Sequence, residues 1–89
     1  MNQQSVPRLG RGCRLADDKE RGWILLIPEG VLRLSGPGPH ILERCDGVRT
    51  VSQIVEELET VFPGAEAGRI ASETTAFLEK LMERRVIIE

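Results

Sequence analysis

The sequence is poor in the residues from which catalytic and metal sites are usually built. Among its 89 residues there is one histidine, there are two cysteines, and aromatic residues make up 3%. A catalytic reading needs a nucleophile beside a base, carboxylates with shifted protonation, or metal ligands that converge on one point. His40, close before Cys45, is half a zinc site at best, because two further ligands are lacking. Asp17-Asp18 and Glu56-Glu57 are sequence neighbours, which do not face each other on a turn or a helix and read as solvated charge. The chain is therefore expected to be no enzyme and to hold no cofactor and no metal. Cys13 and Cys45 are too few for a disulfide scaffold and too far apart for a Cys-x-x-Cys site, so both are expected as thiols.

Other absences narrow the setting. No apolar run approaches the roughly 20 residues that span a bilayer. The opening "MNQQSVPRLGRG" also lacks the apolar core of a signal peptide, so a cytoplasmic protein with no membrane partner is expected. A strong positive balance is missing too: the net charge is -2 and the pI about 5.5. Domains that bind nucleic acid by neutralising phosphates are usually strongly basic, so no nucleic-acid partner is expected. The charge is uneven, however, because Arg8, Arg11 and Arg14 sit in a stretch without acids. They leave nine basic residues against fourteen acidic ones elsewhere. Residues 1–12 show no periodicity and read as a flexible basic arm on a single domain over residues 13–89. With 40% apolar residues but so few aromatics, aliphatic packing must supply the core.

What is present is a clear succession of elements. "LLIPEGVLRL", Leu25 to Leu34, reads as two apolar strands joined by a type I turn, with Pro28 at its second position and Gly30 at its fourth. Strands are expected at Cys13–Ala16, Trp23–Ile27 and Val31–Leu34. In the last of these Leu32 and Leu34 face one side while Val31 and Arg33 face the other. "SGPGP" suits a loop or a first helical turn, with Ser35 as the cap of a short helix carrying Ile41, Leu42 and Cys45. Thr50-Val51-Ser52-Gln53 is a capping box that opens a second helix, which presents Val51, Ile54, Val55, Leu58 and Phe62 and ends at Pro63-Gly64. The last helix should begin between Glu66 and Ile70. Its stripe of Ile70, Thr74, Phe77, Leu78, Leu81 and Met82 spans an arc of roughly 140 degrees at 100 degrees per residue. "VIIE" closes as a strand or an extended tail. The fold class expected is α+β, a three-stranded antiparallel sheet followed by three helices, in a winged-helix-like order.

So apolar a hairpin in so small a chain leaves an edge that is either covered or reserved for a partner strand. Three stretches, "LLIPEGVLRL", "ILERCDGVRTVSQIVEEL" and "FLEKLMERRVI", resemble the PqqD family, pyrroloquinoline quinone biosynthesis protein D, over about Pro7 to Ile88. The resemblance implies a peptide chaperone akin to the recognition elements of ribosomally made, modified peptides. Such a protein binds the precursor peptide PqqA and presents it to the radical S-adenosylmethionine enzyme PqqE. It also implies that the precursor adds as a strand along Val31–Leu34 and lies against the last helix. Stand-alone domains of this kind serve other modified-peptide pathways as well. "SGPGP" is more proline-rich than the corresponding helix start of relatives and leaves the beginning of the first helix open.

The candidate peptide-binding residues are Val31, Leu32, Arg33 and Leu34 on the strand and Glu73, Phe77, Lys80 and Leu81 on the helix. Strand addition supplies backbone hydrogen bonds, and apolar anchors supply the rest. Glu73 and Lys80 are expected at a charged rim, Phe77 and Leu81 in the packing beneath it. Leu32, Leu34, Phe77 and Leu81 would equally serve as plain core in any such domain. Two alternatives share the element order. One is a winged-helix nucleic-acid binder, which the mixed charges Arg69, Glu73, Glu79, Lys80, Glu83, Arg84 and Arg85 of the last helix disfavour. The other is a structural module in which the free edge or the arm pairs with a second copy to form a homodimer.

Overall fold

The hairpin around Pro28-Glu29-Gly30 forms, and the other elements are laid around it. The structure, a computed structural model, describes residues 1–66 and 68–89. Its elements in order are β1 Arg8–Leu9, β2 Arg14–Asp18, β3 Gly22–Ile27, β4 Gly30–Arg33, α1 Gly38–Glu43, α2 Val51–Val61, α3 Arg69–Glu83 and β5 Ile87–Ile88. The strands β2, β3 and β4 form an antiparallel sheet in that order. The fold is therefore α+β, three antiparallel strands with three helices, as the periodicities predict. Strand limits move by a residue or two: the first strand starts at Arg14 and runs on through Asp17 and Asp18, which pair with Trp23 and Gly22.

Register decides the two faces of the sheet. Leu15, Leu25 and Leu32 lie opposite one another on the face toward the helices, with Leu25 fully buried. There it joins Ile41, Leu42, Val51, Ile54, Leu58, Leu78 and Ile87 in one aliphatic cluster. That composition answers the shortage of aromatics: branched side chains that fill space at crystal-like density make the core.

The helix ends follow their local chemistry, with one correction. Thr50 and Gln53 form the expected reciprocal capping box. The first helix, in contrast, is not capped by Ser35: Pro37 holds the cap position without a side-chain bond, and Ser35 only accepts the Gly38 N–H through its carbonyl at 3.2 Å. The two prolines carry the chain straight into the helix, Pro39 standing where an N–H would be an orphan in any case.

The first twelve residues, read from sequence as a flexible arm, run along the body instead. β1 pairs antiparallel with β5, which settles Ile87–Ile88 of the closing "VIIE" as a strand. Ser5 and Gln3 accept the N–H groups of Val51 (2.9 Å) and Ser52 (3.0 Å), and Pro7 is buried. Those N–H groups are the unpaired donors that every helix start carries. The segment's lack of periodicity is real. Its order comes from its backbone serving other elements, which a pattern of side chains does not record.

Candidate functional site

β4 pairs with β3 alone, so its far side is an open edge among the described residues. Main-chain groups alternate along a strand, and the N–H of Leu34 donating to Trp23 at 3.0 Å sets the phase. Leu32 and Leu34 turn their backbone groups toward β3. Val31 and Arg33 therefore offer theirs to the open side. The side chains divide the other way: Leu32 and Leu34 lie half-buried against the core, while Val31, 41% exposed, and Arg33 stand on the sheet's outer face, away from the helices. The predicted strand residues are thus two kinds. Val31 and Arg33 can serve a guest through their backbones, and Leu32 and Leu34 through their side chains.

α3 supplies the facing wall. Its stripe divides by depth: Leu78 and Thr74 are fully buried and Leu81 is 7% exposed, whereas Phe77 is only half-buried. The Phe77 ring and Leu34 meet over Gly38. A β-carbon built on that glycine would lie 3.4 Å from the ring and 3.9 Å from the Leu34 β-carbon. The structure therefore brings Leu34, Phe77 and the start of α1 together at one place. Glu73 and Lys80 are exposed on the helix. Glu73 accepts from the Nε of Arg69 at 3.0 Å, and Lys80 makes no ion pair among the described residues. The rim drawn from sequence is thus solvent-facing, with half of it already engaged.

A cavity of about 350 Å³ lies between the end of α2 and the start of α3. Pro37, Phe62 and Ile70 form its walls, with Leu58 and Thr74 beneath. The rings of Phe62 and His40 stand nearly at right angles, their centres 5.3 Å apart, an edge-to-face arrangement that fixes the wall. The sequence assigns these side chains to helix stripes without showing that the two stripes part at one end. "FPG" closing one helix and a loop before the next was the available signal.

The remaining polar chemistry is structural. Arg44 and Arg49 hold Glu57 from two sides at 3.0 and 2.7 Å, and Arg49 also reaches Asp46 at 2.6 Å. Glu57 is held below the usual carboxylate range, chiefly by the Arg49 hydrogen bond and also by Arg44. Asp46 is lowered by the backbone N–H groups of Arg49 and Val48 and by the charge of Arg49. Burial, with a lesser push from Asp46, drives the Cys45 thiol up to about 12, and burial with the charge of Glu29 raises Cys13. Both cysteines are free. Among the described residues no group of three or more His, Cys, Asp and Glu residues could hold a metal ion, and no helix is long and apolar enough to cross a membrane.

Comparison with known proteins gives this geometry its relatives. The family PqqD, described as coenzyme PQQ synthesis protein D, matches residues 22–87. A "PqqA binding protein" of Rhodopseudomonas palustris (strain BisB5) is 33% identical over 90 residues, covering 100% of this chain and 87% of that protein. The solution NMR structure of the PqqD truncation of Methylobacterium extorquens PqqCD is described as a functional, stand-alone recognition element for ribosomally synthesised and post-translationally modified peptides. It superposes with a TM-score of 0.83 at 34% identity, over 99% of this chain and 94% of that one. The crystal structure of PqqD from Xanthomonas campestris gives a TM-score of 0.59 at 31% identity, over 97% and 96% of the two chains. The matched span runs from the apolar hairpin through the wall helix to the closing strand, and on that ground the chain belongs to the PqqD family.

Proposed function

We propose that this chain is a peptide chaperone of pyrroloquinoline quinone biosynthesis, which binds the precursor PqqA as an added strand on β4 and presents it to the radical S-adenosylmethionine enzyme PqqE. The observation that carries the reading is the open edge of β4 beside the half-buried wall of Leu34 and Phe77. Val31 and Arg33 offer a guest backbone two donors and two acceptors, each bond worth roughly 0.5 to 1.5 kcal/mol net. Leu32, Leu34 and Phe77 offer it apolar surface, and Glu73 and Lys80 read its charge at the rim. The name of the Rhodopseudomonas relative supports PqqA as the guest, and the Methylobacterium structure supports recognition of a modified-peptide precursor. The chain acts in the cytoplasm, stoichiometrically and without a cofactor. Chemistry on the peptide belongs to the partner enzyme.

Isothermal titration with synthetic PqqA tests the reading. Arg33→Pro removes a donor from the open side and spares the β3 ladder, so it should weaken binding about tenfold while the protein stays folded. Charge reversal at Arg33 should matter less. Unchanged affinity in the folded proline variant, together with unshifted β4 amide resonances on adding peptide, would overturn strand addition. Conversion of PqqA by this chain alone would overturn the non-catalytic role.

A further inference from the structure

Resting on that peptide-binding reading, we infer that the cavity between α2 and α3 is an anchor pocket that takes one bulky apolar side chain of the guest, flanked in the guest by a basic residue. Position is the first argument. Thr74 and Glu73, which line the cavity, precede Phe77 by about one helical turn, and Pro37 lies just past the strand. One turn advances about 5.4 Å along a helix, and one to two residues of extended chain cover the same distance at about 3.3 Å each. A guest paired along Val31 and Arg33 and continuing past Leu34 therefore brings its next side chains over the opening.

The lining is the second argument. The floor is Leu58 and Thr74, each 1% exposed, and the walls are Pro37, Phe62 and Ile70, so the interior is mainly apolar. At about 350 Å³ it exceeds ten times the roughly 30 Å³ share of a water molecule, room for a leucine or a phenylalanine side chain. Charge is confined to the mouth, where Glu66, Arg69 and Glu73 stand. Arg69 is engaged by Glu73, which leaves the mouth acidic and complementary to lysine or arginine beside the anchor.

The pocket can be plugged without touching the strand edge. Gly64 lines it, and a β-carbon there meets nothing within 4 Å, so a side chain can be added at that position without a clash at its β-carbon. Gly64→Leu and, separately, Ala65→Leu should keep the wild-type melting temperature. Each should weaken synthetic PqqA by roughly ten- to hundredfold, the value of burying one large apolar side chain. An alanine scan of the peptide against both proteins then identifies the occupant. One apolar position should lose affinity for the wild-type chain yet lose little for the plugged one, the non-additivity of groups in contact. Replacing the adjacent basic residue of the peptide by glutamate should weaken binding further. Equal affinity of wild-type and plugged proteins overturns the pocket while leaving strand addition standing, as does a scan whose losses simply add in every position. If the wild-type chain does not bind PqqA at all, the proposed function falls and the pocket with it.

Discussion

At the scale of single residues, two glycines show how little of a close approach is visible in a sequence. Gly10 sits where a β-carbon would lie 2.5 Å from the carbonyl oxygen of Arg85, and its own N–H donates to Val86 at 2.7 Å. Backbone is met there, so no side chain can swing aside. Gly10→Ala should cost about 1 to 3 kcal/mol, read by urea unfolding, because the β1–β5 pair must part to admit one methyl group. At Gly38 the neighbour is the Phe77 ring, which has some freedom, so the same change there should cost less. Depth likewise separates the residues of α3. Leu81 lies in the core, so Leu81→Ala should destabilise by about 2 to 5 kcal/mol while the folded fraction still binds peptide. Lys80 is exposed, so Lys80→Glu should shift peptide affinity with melting unchanged. An early-melting Lys80 variant that binds normally would reverse this division.

At the scale of elements, what could be read from the sequence is what local side chains determine. The PEG hairpin, the Thr50–Gln53 box and the α3 stripe each rest on neighbours within a few residues, and each appears. The packing of residues 1–12 could not be read, because it depends on carbonyl groups meeting Val51 and Ser52 far along the chain. The cap of α1 departs from the sequence expectation for a related reason: Ser35 has the right chemistry, but the two prolines set the backbone first. The end of α3 carries a further device. Val86 donates to Leu81 at 2.9 Å and Arg85 to Met82 at 3.0 Å, a Schellman closure whose left-handed position is filled by Arg85 at φ 60°. An L-residue there costs roughly 1 to 2 kcal/mol relative to the right-handed well, which glycine avoids. Glycine is also freer in the unfolded chain, which offsets part of the gain. Arg85→Gly should therefore raise stability by about 0.5 to 1 kcal/mol, measured as a higher urea midpoint with unchanged slope.

At the scale of the whole molecule, the open edge of β4 has to be held in place by the rest, and the half of the chain that does this is joined by charge as well as by the core. Glu57 on α2 binds Arg44, which follows α1, and Arg49, which also binds Asp46, so one carboxylate ties two helices and the turn between them. Arg44 further donates to the carbonyl of His40 at 2.9 Å, the residue whose ring steadies Phe62 at the pocket wall. Both acids have their pKa lowered in the folded state, Glu57 chiefly by Arg49 and Asp46 chiefly by the N–H of Arg49. A group lowered in this way binds its proton more weakly folded than unfolded. Its contribution is therefore complete above the unfolded values, about 3.9 for Asp and 4.3 for Glu, and is lost as pH falls through the folded ones. Stability should be nearly level from about pH 7 to pH 5 and decline below about pH 4. Urea unfolding across this range with wild-type protein, Glu57→Gln and Asp46→Asn isolates the cluster: each variant should be less stable at neutral pH and converge toward wild type in acid. Parallel curves for wild type and both variants would show that the acid sensitivity lies elsewhere, with Asp18 and its turn, where Arg21 and Glu20 N–H groups lower a third carboxylate, as the next place to look.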